Sequence, residues 1–544
     1  MTQTEIRLSG RGVVGGMTAG PLYYLDKQRD TEGGKDGSTG EAALAAVTEA
    51  FRAAERGYLS LAAAADTGTP QRELMELYAM MAADPELGEL TAASVRSGST
   101  AGEAVTEAAE QLAHRMEMLP DALLASRAED VRAVGMKVRS CLSGKSETDI
   151  AGITAPVILA ADSMTPDRLA ALPPERVLGL VLGQGGTASH TAILARAMGK
   201  PCVMGIGRLP DGMPENGTTV CVDGGSGTVI LAPEEATERH FRQAADRQRE
   251  TEKRLSAVRG LDDTAPDGRK IALYANVSSP DDVRAVLDGD AHGIGLYRSE
   301  FLFLGRNEAP GEEEQTEAYR RVLAGMKGMP VIIRTLDIGA DKTVPYLQRD
   351  GEKEENPALG CRGVRLFLAR RELAKTQLRA LLRAADAGDL SVMFPMITGA
   401  GEFIRCMTLV SETAAELGGQ TVRPRFGVML ETPAACLCVK ELAQAGASFF
   451  SVGSNDLTQY TLAADREDPG AAPYYDWHHK GVLRLIRTAA EEAHRQNCKI
   501  GVCGEAAADP SMLPFFLSCG MDELSVPPHE VLAVRYALKH PGKN

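Results

Sequence analysis

The sequence contains no apolar run approaching the roughly twenty residues needed to span a bilayer. Its first ten residues, MTQTEIRLSG, lack the basic stretch followed by an apolar one that marks a secretory signal. Together these absences predict a cytoplasmic protein. The ten cysteines include no C-x-x-C pair, and Cys436-Leu-Cys438 has the wrong spacing for a usual zinc knuckle. Buried, reduced thiols are therefore expected. Positive charge is also short: the net charge of −15 argues against a general nucleic-acid binder but leaves room for a local basic pocket. Any anionic substrate must then meet clustered arginines.

What is present reads as globular, with 44% hydrophobic and 24% charged residues. A chain of 544 residues is too long for one core and should divide into about three domains. Residues 5–25 alternate and carry glycines, which suggests strands and turns, whereas 40–145 is rich in Ala, Leu, Glu and Met at helical spacing. The drift of its apolar positions from a strict heptad favours an antiparallel helical insert over a coiled coil. Strand-like runs return over 146–233 (APVILAADS, RVLGLVLG, PCVMGIG, TTVCVDG, GTVILAP), giving a small α/β domain whose sheet residues 1–25 would complete. A charged, nearly aromatic-free stretch at 234–262 reads as an exposed linker helix. From 263 to 544, eight apolar runs alternate with helical stretches: KIALYANV, GIGLYRSE, VIIRTLDIG, LSVMFPMI, RFGVMLETP, SFFSVGSND, KIGVCGE and DELSVPP. That rhythm predicts a (β/α)₈ TIM barrel, with a doubly wound sheet as the alternative.

Two places carry chemistry. In GQGGTASHTAILARAM, His190 stands between a glycine turn (Gly183, Gly185, Gly186) and the start of a helix, where unpaired N–H groups and the dipole welcome an anion such as a phosphate. The bland alternative is a capping or surface histidine. In the barrel segment, polar residues recur at the C-terminal ends of the strand runs, where barrel active sites form: Arg298, Arg334, Glu431, Asn455, Asp456 and Cys503. Two arginines can clamp a phosphate, and Glu431 and Asp456 are hard oxygen ligands suited to magnesium. Arg466 could add an anion contact, and Lys342 reads either as a further one or as an exposed structural lysine. A thiol is a poor ligand for so hard a cation, so Cys503, if it acts, acts as an acid or nucleophile; an inert buried cysteine is the other reading.

The motifs GGTASHTAILARAMGKPCVMGIG, GLYRSEFLF, RTLDIGADK, GVMLETPAA, FFSVGSNDLTQYTLAADR and GVCGE, with SRAEDVRAVG in the helical insert, resemble in order Enzyme I of the bacterial sugar phosphotransferase system, a phosphoenolpyruvate–protein phosphotransferase. The resemblance runs over essentially the whole chain. It implies a multidomain α/β protein: a phosphohistidine domain (1–25 plus 146–233), an inserted helical domain that binds the carrier protein HPr (26–145), a linker helix (234–262) and a phosphoenolpyruvate-binding barrel (263–544). It implies that His190 takes the phosphoryl group of phosphoenolpyruvate and passes it to a histidine of HPr. Arg298, Arg334, Asn455, Asp456 and Arg466 would hold the substrate, Glu431 and Asp456 would bind Mg²⁺, and Cys503 would protonate the enolate to give pyruvate. A homodimer formed through the barrel is implied as well. Neutral imidazole is a competent nucleophile near neutral pH, and arginines and a metal offset the charge of a transferring phosphoryl group.

Related dikinases and phosphoenolpyruvate synthases carry a further nucleotide-binding domain for which this chain has no room. A non-catalytic sensor of the same fold would be expected to lose His190 or the metal carboxylates, and neither is lost. Three departures from the family pattern stand out: Thr187 and Ala188 in the turn before Ser189, Cys361 in NPALGCRGVRL, and an end at VRYALKHPGKN, short of the terminal helices many members carry.

Overall fold

The computed structural model describes residues 5–25, 37–65, 69–118, 127–143, 153–186, 189–207, 215–338, 344, 346, 356–418 and 424–541. The chain divides into two compact units, Met1–Thr251 and Glu252–Asn544.

In the first unit, strands β1 (Ile6–Ser9), β2 (Arg11–Val14) and β3 (Met17–Tyr24) join β4 (Val157–Ala161), β5 (Val177–Leu182), β6 (Cys202–Met204), β7 (Thr219–Asp223) and β8 (Thr228–Leu231). They form one sheet of order β1-β8-β7-β3-β4-β5-β6-β2. The pairs β3–β4, β4–β5 and β5–β6 are parallel, and the flanking pairs are antiparallel. Between β3 and β4 the chain forms helices α1 (Gly40–Ala64), α2 (Pro70–Ala82), α3 (Pro85–Arg96), α4 (Ala101–Glu117) and α5 (Ala128–Ser143). Their boundaries follow from local chemistry: Thr69 caps α2, with Pro70 as its first residue, and Thr100 and Glu103 form a reciprocal capping box on α4. Strand β4 shows why these runs read as continuously apolar. Its alternate side chains enter two cores: Leu159 joins the core shared with the helices, and Ile158 and Ala160 join the core on the opposite face.

Helix α6 (His190–Met198) follows β5. Ser189 caps it by accepting the Ala192 N–H, and Gly199 ends it in the left-handed conformation with φ 66°. The turn before it needs glycine, because a Cβ on Gly183 would lie 2.5 Å from the Gly207 carbonyl oxygen. Helix α7 (Glu235–Ser256) buries only Phe241 and Ala245, as its composition predicts, and the division between the two units falls within it.

The second unit is a closed, all-parallel barrel of β9 (Ala272–Val277), β10 (Ile294–Arg298), β11 (Val331–Arg334), β12 (Leu390–Phe394), β13 (Arg425–Leu430), β14 (Phe449–Gly453), β15 (Lys499–Cys503) and β16 (Glu523–Val526). Strand β9 pairs with both β10 and β16, so the doubly wound alternative is excluded. The closing helix Val531–Lys539 is fastened to the barrel by Arg535, which is fully buried and donates from Nε to Asp263 Oδ1 over 2.7 Å. Among the described residues, no helix is long and apolar enough to cross a membrane.

Candidate active site

In the first unit, His190 begins α6 and is half-buried. Its Nδ1 lies 2.6 Å from Asp130 Oδ1, and its Nε2 lies 3.3 Å from Arg127 Nη1. A guanidinium only donates hydrogen bonds, so Nε2 faces it as an acceptor and the ring proton belongs on Nδ1, donated to Asp130. Asp130, 3% exposed in the first turn of α5, also accepts the Tyr78 hydroxyl at 2.7 Å and Arg127 Nη1 at 3.2 Å. Burial works against its charge, but the donors from His190, Tyr78 and Arg127 hold its carboxyl below the usual range. Asp130 and Arg127 lie within the SRAEDVRAVG motif, yet their pairing with His190 bridges sixty residues and has no local signature.

The barrel gathers the strand-end residues. Arg298 and Arg334 end β10 and β11 and are partners in register. Arg298 has no hydrogen-bond or ion-pair partner among the described residues, and burial followed by repulsion from Arg334 pushes its guanidinium down. Arg334 is buried and held: Glu300 Oε1 lies 2.9 Å from its Nη2 and Asp337 Oδ2 lies 3.0 Å from its Nη1. Glu431, just past β13, accepts the Met396 N–H at 2.6 Å. Asn455 and Asp456 open the helix Ser454–Leu462 after β14. Asn455 donates to Glu505 and accepts that residue's N–H. Asp456 lies 3.2 Å from Arg362 Nη2 and 3.8 Å from Arg466 Nη1. Cys503 ends β15 opposite Gly453; its thiol donates to the Val452 carbonyl at 3.4 Å, and burial pushes it up to about 11.

Sequence reading missed three members of this cluster. Glu300, Asp337 and Arg362 are linked to Arg334 and Asp456 by direct ion pairs. Glu300 and Asp337 each sit two or three residues beyond a strand-end arginine, a spacing that could have pointed to them. Arg362 follows Cys361, and the sequence offered no reason to prefer it. Lys342, Thr187 and Ala188 lie outside the described residues.

Carboxylate oxygens of Asp337, Glu431 and Asp456 all come within 4.8 Å of one another. Burial, then repulsion from Asp337 and Asp456, pushes the Glu431 carboxyl up to about 8. Asp456 Oδ1 is buried with no hydrogen-bond partner among the described residues. Such a cluster fits a divalent cation, which would relieve the repulsion and use the free lone pairs. Asp337 already engages both its oxygens with guanidinium groups, so Glu431 and Asp456 are the better placed ligands.

Comparison with known proteins matches the same segments. The family described as PEP-utilising enzyme, PEP-binding domain, matches residues 252–542; the mobile domain of such enzymes matches 153–227, and their N-terminal domain matches 9–127. A phosphoenolpyruvate-protein phosphotransferase of Bacillus subtilis is 35% identical over 97% of this chain and 93% of its own. Another, from Listeria innocua, is 36% identical over 88% of this chain and 84% of its own. An NMR solution structure of an Enzyme I protein (nEIt) is 30% identical, with a TM-score of 0.38, over 44% of this chain and 99% of that one. A histidine held by a buried carboxylate in one unit, an arginine and carboxylate cluster at the mouth of a barrel in the other, and near full-length likeness converge: the chain belongs to the phosphoenolpyruvate-protein phosphotransferases, enzymes of the phosphotransferase type.

Proposed function

We propose that His190 Nε2 attacks the phosphorus of phosphoenolpyruvate, breaking its bond to the enol oxygen, and that the phosphohistidine then passes the group to a histidine of the carrier protein HPr. The observation that carries this reading is the orientation of the ring. Asp130 retains the proton on Nδ1, so the Nε2 lone pair is the nucleophile, and Asp130 stabilises the positive charge the ring gains on phosphorylation. Arg127, beside Nε2, takes up phosphoryl oxygen charge.

In the barrel, Arg298, without a side-chain partner among the described residues, binds the substrate's anionic groups with Arg334, Asn455 and Arg466. Glu300 and Asp337 keep Arg334 aimed. The Cys503 thiol, held protonated at neutral pH by burial, gives its proton to the methylene carbon of the enolate and yields pyruvate; solvent restores it. Glu431 and Asp456 would hold Mg²⁺. When bound, Mg²⁺ supplies Lewis-acid stabilisation of charge on phosphate and carboxylate oxygens. Within the same reading, drawn from the family resemblance, the protein works in the cytoplasm as a homodimer paired through its barrel.

The test is direct. His190→Ala should leave the fold intact and abolish acid-labile, base-stable phosphorylation by phosphoenolpyruvate; undiminished labelling of that variant would sink the assignment.

A further inference from the structure

We infer that Tyr78, on α2, is a positioning residue for His190, acting through Asp130. The inference rests on the reading of His190 as the phosphoryl acceptor. The Tyr78 hydroxyl donates to Asp130 Oδ1 at 2.7 Å, and this is the same oxygen that accepts the His190 Nδ1 proton at 2.6 Å. The other oxygen, Oδ2, accepts only from Arg127 among the described residues.

The carboxylate turns about a soft terminal torsion, and these two donors hold it by its two different oxygens. They are not equivalent. Arg127 is partly exposed and also faces Nε2, so an arriving phosphoryl group competes with Asp130 for its guanidinium. Tyr78 cannot be drawn away in this manner. It is 1% exposed, its ring stands edge-on to Tyr58 with centroids 5.5 Å apart, and its hydroxyl has no other hydrogen-bond partner among the described residues. Burial also pushes its phenol far up, so it remains a donor throughout and cannot take the histidine's proton. As Arg127 turns to the phosphoryl group, Tyr78 keeps Asp130, and through it the ring, in the attacking orientation.

The experiment uses the full chain with Tyr78→Phe, which retains the buried ring and removes one oxygen. Single-turnover phosphorylation of His190 by phosphoenolpyruvate and Mg²⁺ should slow about tenfold, the loss expected of one hydrogen bond, with the apparent KM for phosphoenolpyruvate unchanged. In the unphosphorylated protein, ¹⁵N-histidine NMR should show the Nδ1 proton resonance of His190 shifted and broadened. Tyr58→Phe is the control: it deletes a buried hydroxyl with no hydrogen-bond partner among the described residues and should keep the wild-type rate and resonance. A Tyr78→Phe rate within twofold of wild type, an unmoved Nδ1 resonance, or an equal loss in Tyr58→Phe overturns the inference. Failure of the underlying reading looks different: His190→Ala would then be labelled as strongly as wild type.

Discussion

Glu523 offers a sharp test of how the barrel interior treats charge. It opens β16, and its Oε1 is shut off from water with no hydrogen-bond partner among the described residues. Burial, reinforced by the neighbouring Asp522 and only partly countered by Lys499, pushes its carboxyl up to about 8 from 4.5. Between those two pH values the folded protein keeps a proton that the unfolded chain releases. The stabilising contribution is therefore complete below pH 4.5, falls by about 1.4 kcal/mol per pH unit, and is gone above pH 8. The full window has a ceiling of about 5 kcal/mol, and partial exposure of the residue as a whole lowers the expectation to about 2 to 4 kcal/mol. Glu523→Gln keeps the shape and cannot ionise. It should match wild type near pH 4.5 and exceed it by that amount at pH 8.5. Urea unfolding followed by the fluorescence of Trp477 reads this cleanly, because Trp477 is the single tryptophan and packs on the barrel core. A stability difference between the two proteins that stays constant from pH 4.5 to 8.5 would refute the reasoning.

Two further outcomes bear on the barrel site. Glu431→Gln should weaken Mn²⁺ binding, measured by electron paramagnetic resonance, by at least about tenfold and should raise the melting temperature of the metal-free protein by relieving repulsion with Asp337 and Asp456; tight Mn²⁺ binding with unchanged stability would count against a cation there. Cys503→Ser should slow pyruvate formation at least about a hundredfold, the usual contribution of a positioned acid, while phosphoryl exchange between His190 and HPr stays near wild type; equal loss in both reactions would make Cys503 structural.

The barrel was legible because its parallel strands are buried on both faces and so leave largely apolar runs, several of them with a polar residue at or just past the C-terminal end, where the strand meets the mouth. Arg298, Arg334, Glu431, Asp456 and Cys503 stood out for that reason alone. The three members missed do not end strands. Arg362 lies in the connection after β11 and gains meaning only when the closed barrel brings it beside Asp456, 94 residues away. Cys361, its neighbour, drew notice instead as a departure from the family pattern, and nothing in the structure explains it.

Family membership, the eight-strand rhythm and the placing of a histidine after a glycine turn at a helix start were determined by the sequence itself, since each depends on residues close together along the chain. Local spacing records burial periodicity, caps and turns, because these are interactions between neighbours. The tertiary structure alone decided which nitrogen of His190 faces a carboxylate and which faces a guanidinium. That choice depends on Asp130, sixty positions earlier, meeting the ring, and on Tyr78, another 52 positions back, meeting the same oxygen. Convergence over such distances is a property of how the inserted helices pack against the sheet, and no periodicity along the chain encodes it.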